Sequence, residues 1–109
     1  MMAGIHVKND VDKDGNPTGG VVVGTGFTIS RQDGPLGRGE DRKEPNGAFV
    51  EDVIGAAMQR LRFYQAATYG RYACEENEVA IKHLETALFV LGIRTGRREA
   101  RGVEGTHTP

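Results

Sequence analysis

The sequence predicts an α+β protein: an N-terminal antiparallel β-hairpin or small sheet, followed by an antiparallel two-helix hairpin, in an oligomer. Three observations point there. β-Branched residues alternate in residues 4–11 and 19–30, and helical spacing then takes over in two long segments joined by a short glycine-containing connection. The second helical segment is apolar on two sides, more than a small monomer can cover.

In order, residues 4–31 form the hairpin, 32–46 a loop, 47–67 the first helix, 74–99 the second helix and 100–109 a tail, all within one domain spanning 1–109. GIHVKNDV at 4–11 reads as one strand and GGVVVGTGFTIS at 19–30 as the next. Between them, Asp14-Gly15 and Asn16-Pro17 supply turn chemistry for a loop longer than two residues. Asp10, Asp12 and Asp14 have the spacing of a calcium loop, but its twelfth position is Val21 rather than glutamate and no helices flank it. Glycines 19, 20, 24 and 26 neither close with Gly-Lys-Ser/Thr nor open a helix. They are expected at bulges or close backbone approaches rather than around a phosphate.

Residues 32–46 read as a solvated connection without structure of its own, long enough to keep a ligand-covering role open. Val50, Val53, Ile54, Ala57, Leu61 and Tyr64 then recur at helical spacing, with Asn46 expected as the N-cap and Glu51 and Asp52 in the first turn. Residues 67–73 turn the chain back. In the second helix Asn77, Ala80, Ile81, Leu84, Ala87, Leu88 and Leu91 share one face. Val79, Thr86, Phe89, Val90 and Ile93 lie on the other, expected to meet another subunit or else the N-terminal strands.

Arg94, Arg98 and Arg101 recur along one side of the helix end, beside Arg97. They either offset the helix dipole or form an anion site, since guanidinium forks match phosphate oxygens. Gly102 and Gly105 bracket a turn in which Val103, Glu104, Thr106 and His107 could fold over a ligand.

Composition excludes several classes. The net charge of −1 over 109 residues argues against a nucleic-acid binder, and no stretch has the length and apolarity of a membrane span. The N-terminal ten residues lack the pattern of a secretory leader. The single cysteine, Cys74, fits a reducing cytosol, and its glutamate neighbours push a thiol away from nucleophilic character. His6, His83 and His107 are scattered without a metal or acid–base motif, so no enzyme, metal or cofactor is expected. His83, mid-helix, reads as an interface or surface residue.

The run C-x-E-N-x-x-A-I-x-x-L-E-x-A-L, then R-T-x-x-R, then R-G-V-E-G-T-H, within residues 74–107, resembles the Thoeris anti-defence sponge family of phage proteins. These share a helical-hairpin domain with the phage sponge that disables CBASS. The likeness continues upstream through Asn46-Gly47, VEDVIGAAMQRLRFYQ and GFTISRQDGP, covering roughly residues 26–108.

The resemblance implies a protein that sequesters the immune signal gcADPR, a glycosylated cyclic ADP-ribose, without cleaving it, in the cytoplasm of an infected bacterial host. It implies an aromatic residue stacked on adenine, an asparagine bonding the base and two arginines on the diphosphate, matching Tyr64 with Phe63 as rival, Asn77, Arg94 and Arg98. Arg101, Thr106 and His107 are further candidate contacts. It also implies dimers or hexamers, and cyclic di- or trinucleotides as alternative or additional ligands in a separate pocket; the basic helix end with Thr95 and Thr106 is a candidate lining for such a pocket at a symmetry axis. The connection between the helices, with Tyr69, Arg71 and Tyr72, is a few residues longer than the family pattern. A structural phage protein is the remaining alternative.

Each position has a structural reading as well: Tyr64 as core, Asn77 as a cap, the arginines as dipole balance. Independently of any family, Asn77 and Arg94 on one straight helix stand roughly 25 Å apart. One nucleotide reaches both only if two copies of the helix lie antiparallel.

Overall fold

The computed structural model describes residues 4–109; residues 1–3, on which part of the no-leader expectation rests, lie outside the described residues. The elements run β1 (His6–Val11), β2 (Pro17–Gly24), β3 (Phe27–Ser30), a 3-10 turn (Gly39–Asp41), α1 (Val50–Gly70) and α2 (Glu75–Ala100). They divide into two compact units, one holding the chain through Phe49 together with Glu99–Pro109, the other Val50–Arg98.

The first unit is built on an antiparallel sheet of order β1-β2-β3. The expected hairpin is present, but the second expected strand, 19–30, is two strands. Gly24 pairs with Phe27 across Thr25-Gly26, and Gly26 takes φ +82°, a conformation glycine adopts without penalty. The β1–β2 loop is organised by Asp12, whose Oδ1 accepts from the backbone N–H groups of Asp14 (2.8 Å) and Asn16 (3.0 Å). The register shifts between Asp10 and Val11, opposite Gly19, and a Cβ at Gly20 would collide with the Lys8 carbonyl. Bulge and close approach are thus what the strand glycines serve.

Residues 32–46 are not the unstructured connection expected. Asp33 N–H donates to Asn46 Oδ1 at 2.9 Å, and Asn46 N–H donates to Gln32 Oε1 at 2.8 Å, so two side chains tie the neck of the loop. Arg31 and Ala48 form a parallel bridge just outside that neck, and Leu36 within the loop is buried. The tail closes the structure: Arg42 makes a two-pronged pair with Glu104, with N–O distances of 2.7 and 3.1 Å. Arg38 donates to the Glu104 carbonyl at 2.9 Å, and Gly37 N–H to the Gly105 carbonyl at 2.8 Å.

The second unit is the helix pair. α1 starts at Val50, and Asn46 does not cap it, because its side chain is committed to Asp33. The half-buried stripe of α1 runs through Val53, Ile54, Leu61 and Gln65 around buried Met58; Ala57 and Tyr64 lie outside it. Along α2 the two faces fall as expected. Ile81 is buried, with Asn77, Ala80, Leu84, Ala87, Leu88 and Leu91 half-buried around it, while Val79, Thr86, Phe89, Val90 and Ile93 are exposed. No helix among the described residues is long and apolar enough to cross a membrane.

Candidate functional site

Regular helical geometry in α1 ends at Ala66. Ala67 is extended (ψ 141°), and Thr68 and Tyr69 both take left-handed conformations, with φ of 52° and 55°. Consecutive left-handed residues that are not glycine cost about 1–2 kcal/mol each, most for a β-branched side chain such as threonine. They persist because the connection is tied down on its far side. Gln65 Oε1 accepts from Cys74 N–H at 2.9 Å, while Gln65 Nε2 donates to the Cys74 carbonyl at 3.1 Å and to Glu78 Oε2 at 3.3 Å. One glutamine therefore locks the end of α1 to the start of α2. Cys74 fills the cap position, its carbonyl accepting from Glu78 N–H at 3.3 Å, so Asn77 sits inside the first turn and is not the cap.

This bracing holds open a mainly apolar cavity of about 350 Å³, lined by Phe63, Tyr64, Ala67, Thr68, Tyr72 and Asn77. Its size is at the low end for small-molecule sites, suited to a base-sized piece of a larger ligand. Phe63 and Tyr64 are neighbours with ring centroids 6.1 Å apart, tilted at 56°. They are 48% and 39% exposed, which removes the reading of Tyr64 as a core residue. The Arg60 guanidinium lies 5.0 Å from the Phe63 centroid and 4.9 Å from that of Tyr64, and its Nε–H donates to Tyr64 Oη at 3.2 Å. Across the connection, the Arg71 guanidinium lies 5.6 Å from the Tyr72 ring.

Three sequence candidates, Phe63, Tyr64 and Asn77, are thus brought to one cavity. Arg94 and Arg98 are not: α2 is continuous from Glu75 to Ala100, so they stand roughly 25 and 31 Å from Asn77 along the same helix. Arg101, Thr106 and His107 belong to the first unit. Arg101 is exposed, and Thr106 Oγ1 donates to the Val103 carbonyl at 2.6 Å and accepts from Thr108 N–H at 3.2 Å. His107 Nε2 lies 3.2 Å from the Pro17 carbonyl oxygen, with Nδ1 3.9 Å from Asp12 Oδ2. The tail therefore folds onto the β1–β2 loop of its own unit. Thr95 Oγ1 donates to the Leu91 carbonyl at 3.2 Å within α2.

Sequence reasoning missed Thr68 and Tyr72 as parts of the cavity, and Arg60 as the group lying over its two aromatic rings. Arg60 was detectable, being three and four residues before the two aromatics on a helix. Thr68 and Tyr72 were not, because their placement depends on a left-handed turn that neither residue type favours. Electrostatic shifts at Asp12 and Arg42 both fall in the first unit. Backbone donation from Asn16 is the largest cause holding the Asp12 carboxyl below its ordinary range, and the hydrogen bond to Glu104 raises Arg42.

Comparison with known proteins follows this geometry. The family model described as "Acb2/Tad1, hairpin domain" matches residues 31–94, more than half of the chain. The protein named Thoeris anti-defense 1 from Bacillus phage SBSphiJ7 is 41% identical over 80 residues, covering 73% of this chain and 51% of that protein. The chain thus spans about half the length of this relative. With a braced hairpin turn, an aromatic cavity beside it and a matching family model across both helices' shared region, the chain belongs to the Acb2/Tad1 hairpin-domain family.

Proposed function

We propose that the protein is a phage anti-defence sponge. It binds gcADPR and holds it intact, so that Thoeris immunity is not triggered in the cytoplasm of the infected bacterial host. The observation that carries this is the cavity at the hairpin turn, where Phe63, Tyr64 and Asn77 converge. Aromatic faces stack on a nucleobase whatever its sequence context, and an asparagine amide offers both a donor and an acceptor to an adenine edge. The named relative, Thoeris anti-defense 1, supports the choice of signal.

A diphosphate calls for guanidinium forks, and the proposed ones are Arg94 and Arg98. Separation along α2 means that they serve the base pocket only from a second copy whose α2 runs antiparallel to the first. Phe89, at 70% exposure, with Val90 and Ile93, supplies the apolar surface for that association in a homodimer or hexamer. Arg101 extends the arginine row. Thr106 and His107 are proposed as outer contacts only, since both side chains are already engaged in their own unit.

Binding alone accounts for the activity, with no bond broken. The test is to incubate the protein with gcADPR and, separately, with cyclic di- and trinucleotides, remove free ligand by filtration, heat the protein and identify what is released by mass spectrometry. Intact gcADPR released only on heating is the expected result. Altered products would make the protein an enzyme, cyclic oligonucleotides alone would make it a CBASS sponge, and no depletion at all would leave a structural role.

A further inference from the structure

The cavity has a second aromatic wall. Phe63 and Tyr64 reach it from α1, whereas Tyr72 reaches it from the connection, beyond the left-handed pair Thr68 and Tyr69. Phe63 and Tyr64 touch each other, but Tyr72 makes no ring contact with either, so the two walls face one cavity while standing apart. A flat ring stacked on both sides needs about 3.5 Å to each wall, which parted walls permit and touching walls would not.

Each wall also carries one guanidinium, Arg60 over the α1 aromatics and Arg71 over Tyr72. Neither arginine has a carboxylate partner among the described residues. Tyr72 is 57% exposed although it borders an apolar cavity, so its ring contributes little to the hairpin's own packing. The backbone two residues on, at Cys74, is fixed by Gln65.

We propose that Tyr72 closes the cavity into a two-sided slot for a single purine base, and that it is the residue setting purine preference. This rests on the reading of the cavity as the base site of a nucleotide-binding protein. The base lies between Tyr72 and the Phe63–Tyr64 wall, and Asn77 bonds its edge. A purine, with the larger ring face, is held more tightly than a pyrimidine.

The chain contains no tryptophan, so Tyr72→Trp places a sole fluorophore in the wall. Its emission is expected to be quenched on adding gcADPR and, at higher concentration, AMP, but much less by CMP. Tyr72→Ala weakens gcADPR retention roughly 5- to 150-fold, the value of one stacking face, while Tyr72→Phe stays within about threefold of wild type. All three variants keep the wild-type circular dichroism and melting temperature.

Wild-type retention of gcADPR combined with unchanged affinity in Tyr72→Ala, or with no quench in Tyr72→Trp, overturns the slot and leaves the sponge standing. Equal quenching by CMP and AMP overturns the purine preference. Failure of the wild-type protein to retain gcADPR or any cyclic di- or trinucleotide overturns the sponge reading and the slot with it.

Discussion

At its N-terminal end α2 is braced and aromatic: Gln65 ties Cys74 and Glu78 to α1, and Asn77 faces a cavity with Phe63, Tyr64 and Tyr72. At its C-terminal end the same helix carries Arg94, Arg97 and Arg98, with exposed Phe89, Val90 and Ile93 just before them. In the proposed reading one end receives the base and the other the phosphates. Neither end alone suits a whole nucleotide, and a rigid helix keeps them roughly 25 Å apart. Half-sites separated along a rod become complete when a second rod is laid against the first in the opposite direction.

The most severe way to break that relation is to prevent the second copy from docking. Phe89→Glu combined with Ile93→Glu places carboxylates on the exposed face of α2. Light scattering is expected to show monomers, and gcADPR retention to fall below detection with helicity preserved. A monomer that still retained the ligand tightly would refute the intersubunit site.

Next in size is the loss of either half-site. Asn77→Ala and Arg94→Ala are each expected to abolish retention while leaving circular dichroism unchanged, because Arg94 is exposed and Asn77 is only half-buried, in the first turn of α2, where alanine suits the helix. Full affinity in both would remove these residues from the site.

A smaller effect sharpens the contrast between braced and unbraced ends. Tyr69 is fully exposed, is not among the residues lining the cavity and holds φ at +55°. Tyr69→Gly relieves a left-handed conformation and should raise stability by up to about 1 kcal/mol in thermal unfolding, less the extra chain entropy of glycine. In the other unit the equivalent change runs the opposite way. Gly105 holds φ +81° with its Cα against the Gly37 carbonyl, so Gly105→Ala should cost about 1–3 kcal/mol.

The smallest effect is on acid stability. Backbone N–H donation from Asn16 lowers the Asp12 carboxyl in the folded protein. A carboxyl lowered on folding contributes stability that is present above its unfolded value and is lost as pH falls through its folded value. Asp12→Asn should therefore lower the melting temperature slightly at neutrality, where the wild type has this contribution, and the two curves should converge as pH falls below about 4, flattening the variant's acid limb.

How much of this was readable in advance follows from where the determinants lie. The two helices and both faces of α2 were legible because their pattern is local and repeats over seven turns. The break at Thr25-Gly26 was hidden among β-branched residues that suit a strand on either side of a turn. The order in residues 32–46 comes from Arg42 and Glu104, separated by 62 residues, and from Asn46 pairing with Asp33 in preference to capping α1. No local rule contains those partners. In the site, Phe63, Tyr64 and Asn77 came from the family resemblance, whereas the places of Tyr72 and Thr68 depend on the left-handed turn at Thr68 and Tyr69, which no local pattern signals.

The central claim, that one ligand is held by Asn77 of one chain and Arg94 of another, is tested most directly by complementation. Asn77→Ala and Arg94→Ala chains, each inactive alone, are unfolded together, refolded as a mixture and assayed for gcADPR retention. Mixed assemblies place an intact Asn77 beside an intact Arg94 in about a quarter of the sites, so about a quarter of wild-type capacity should return. A mixture as inactive as its components, with exchange of chains verified, would contradict the account.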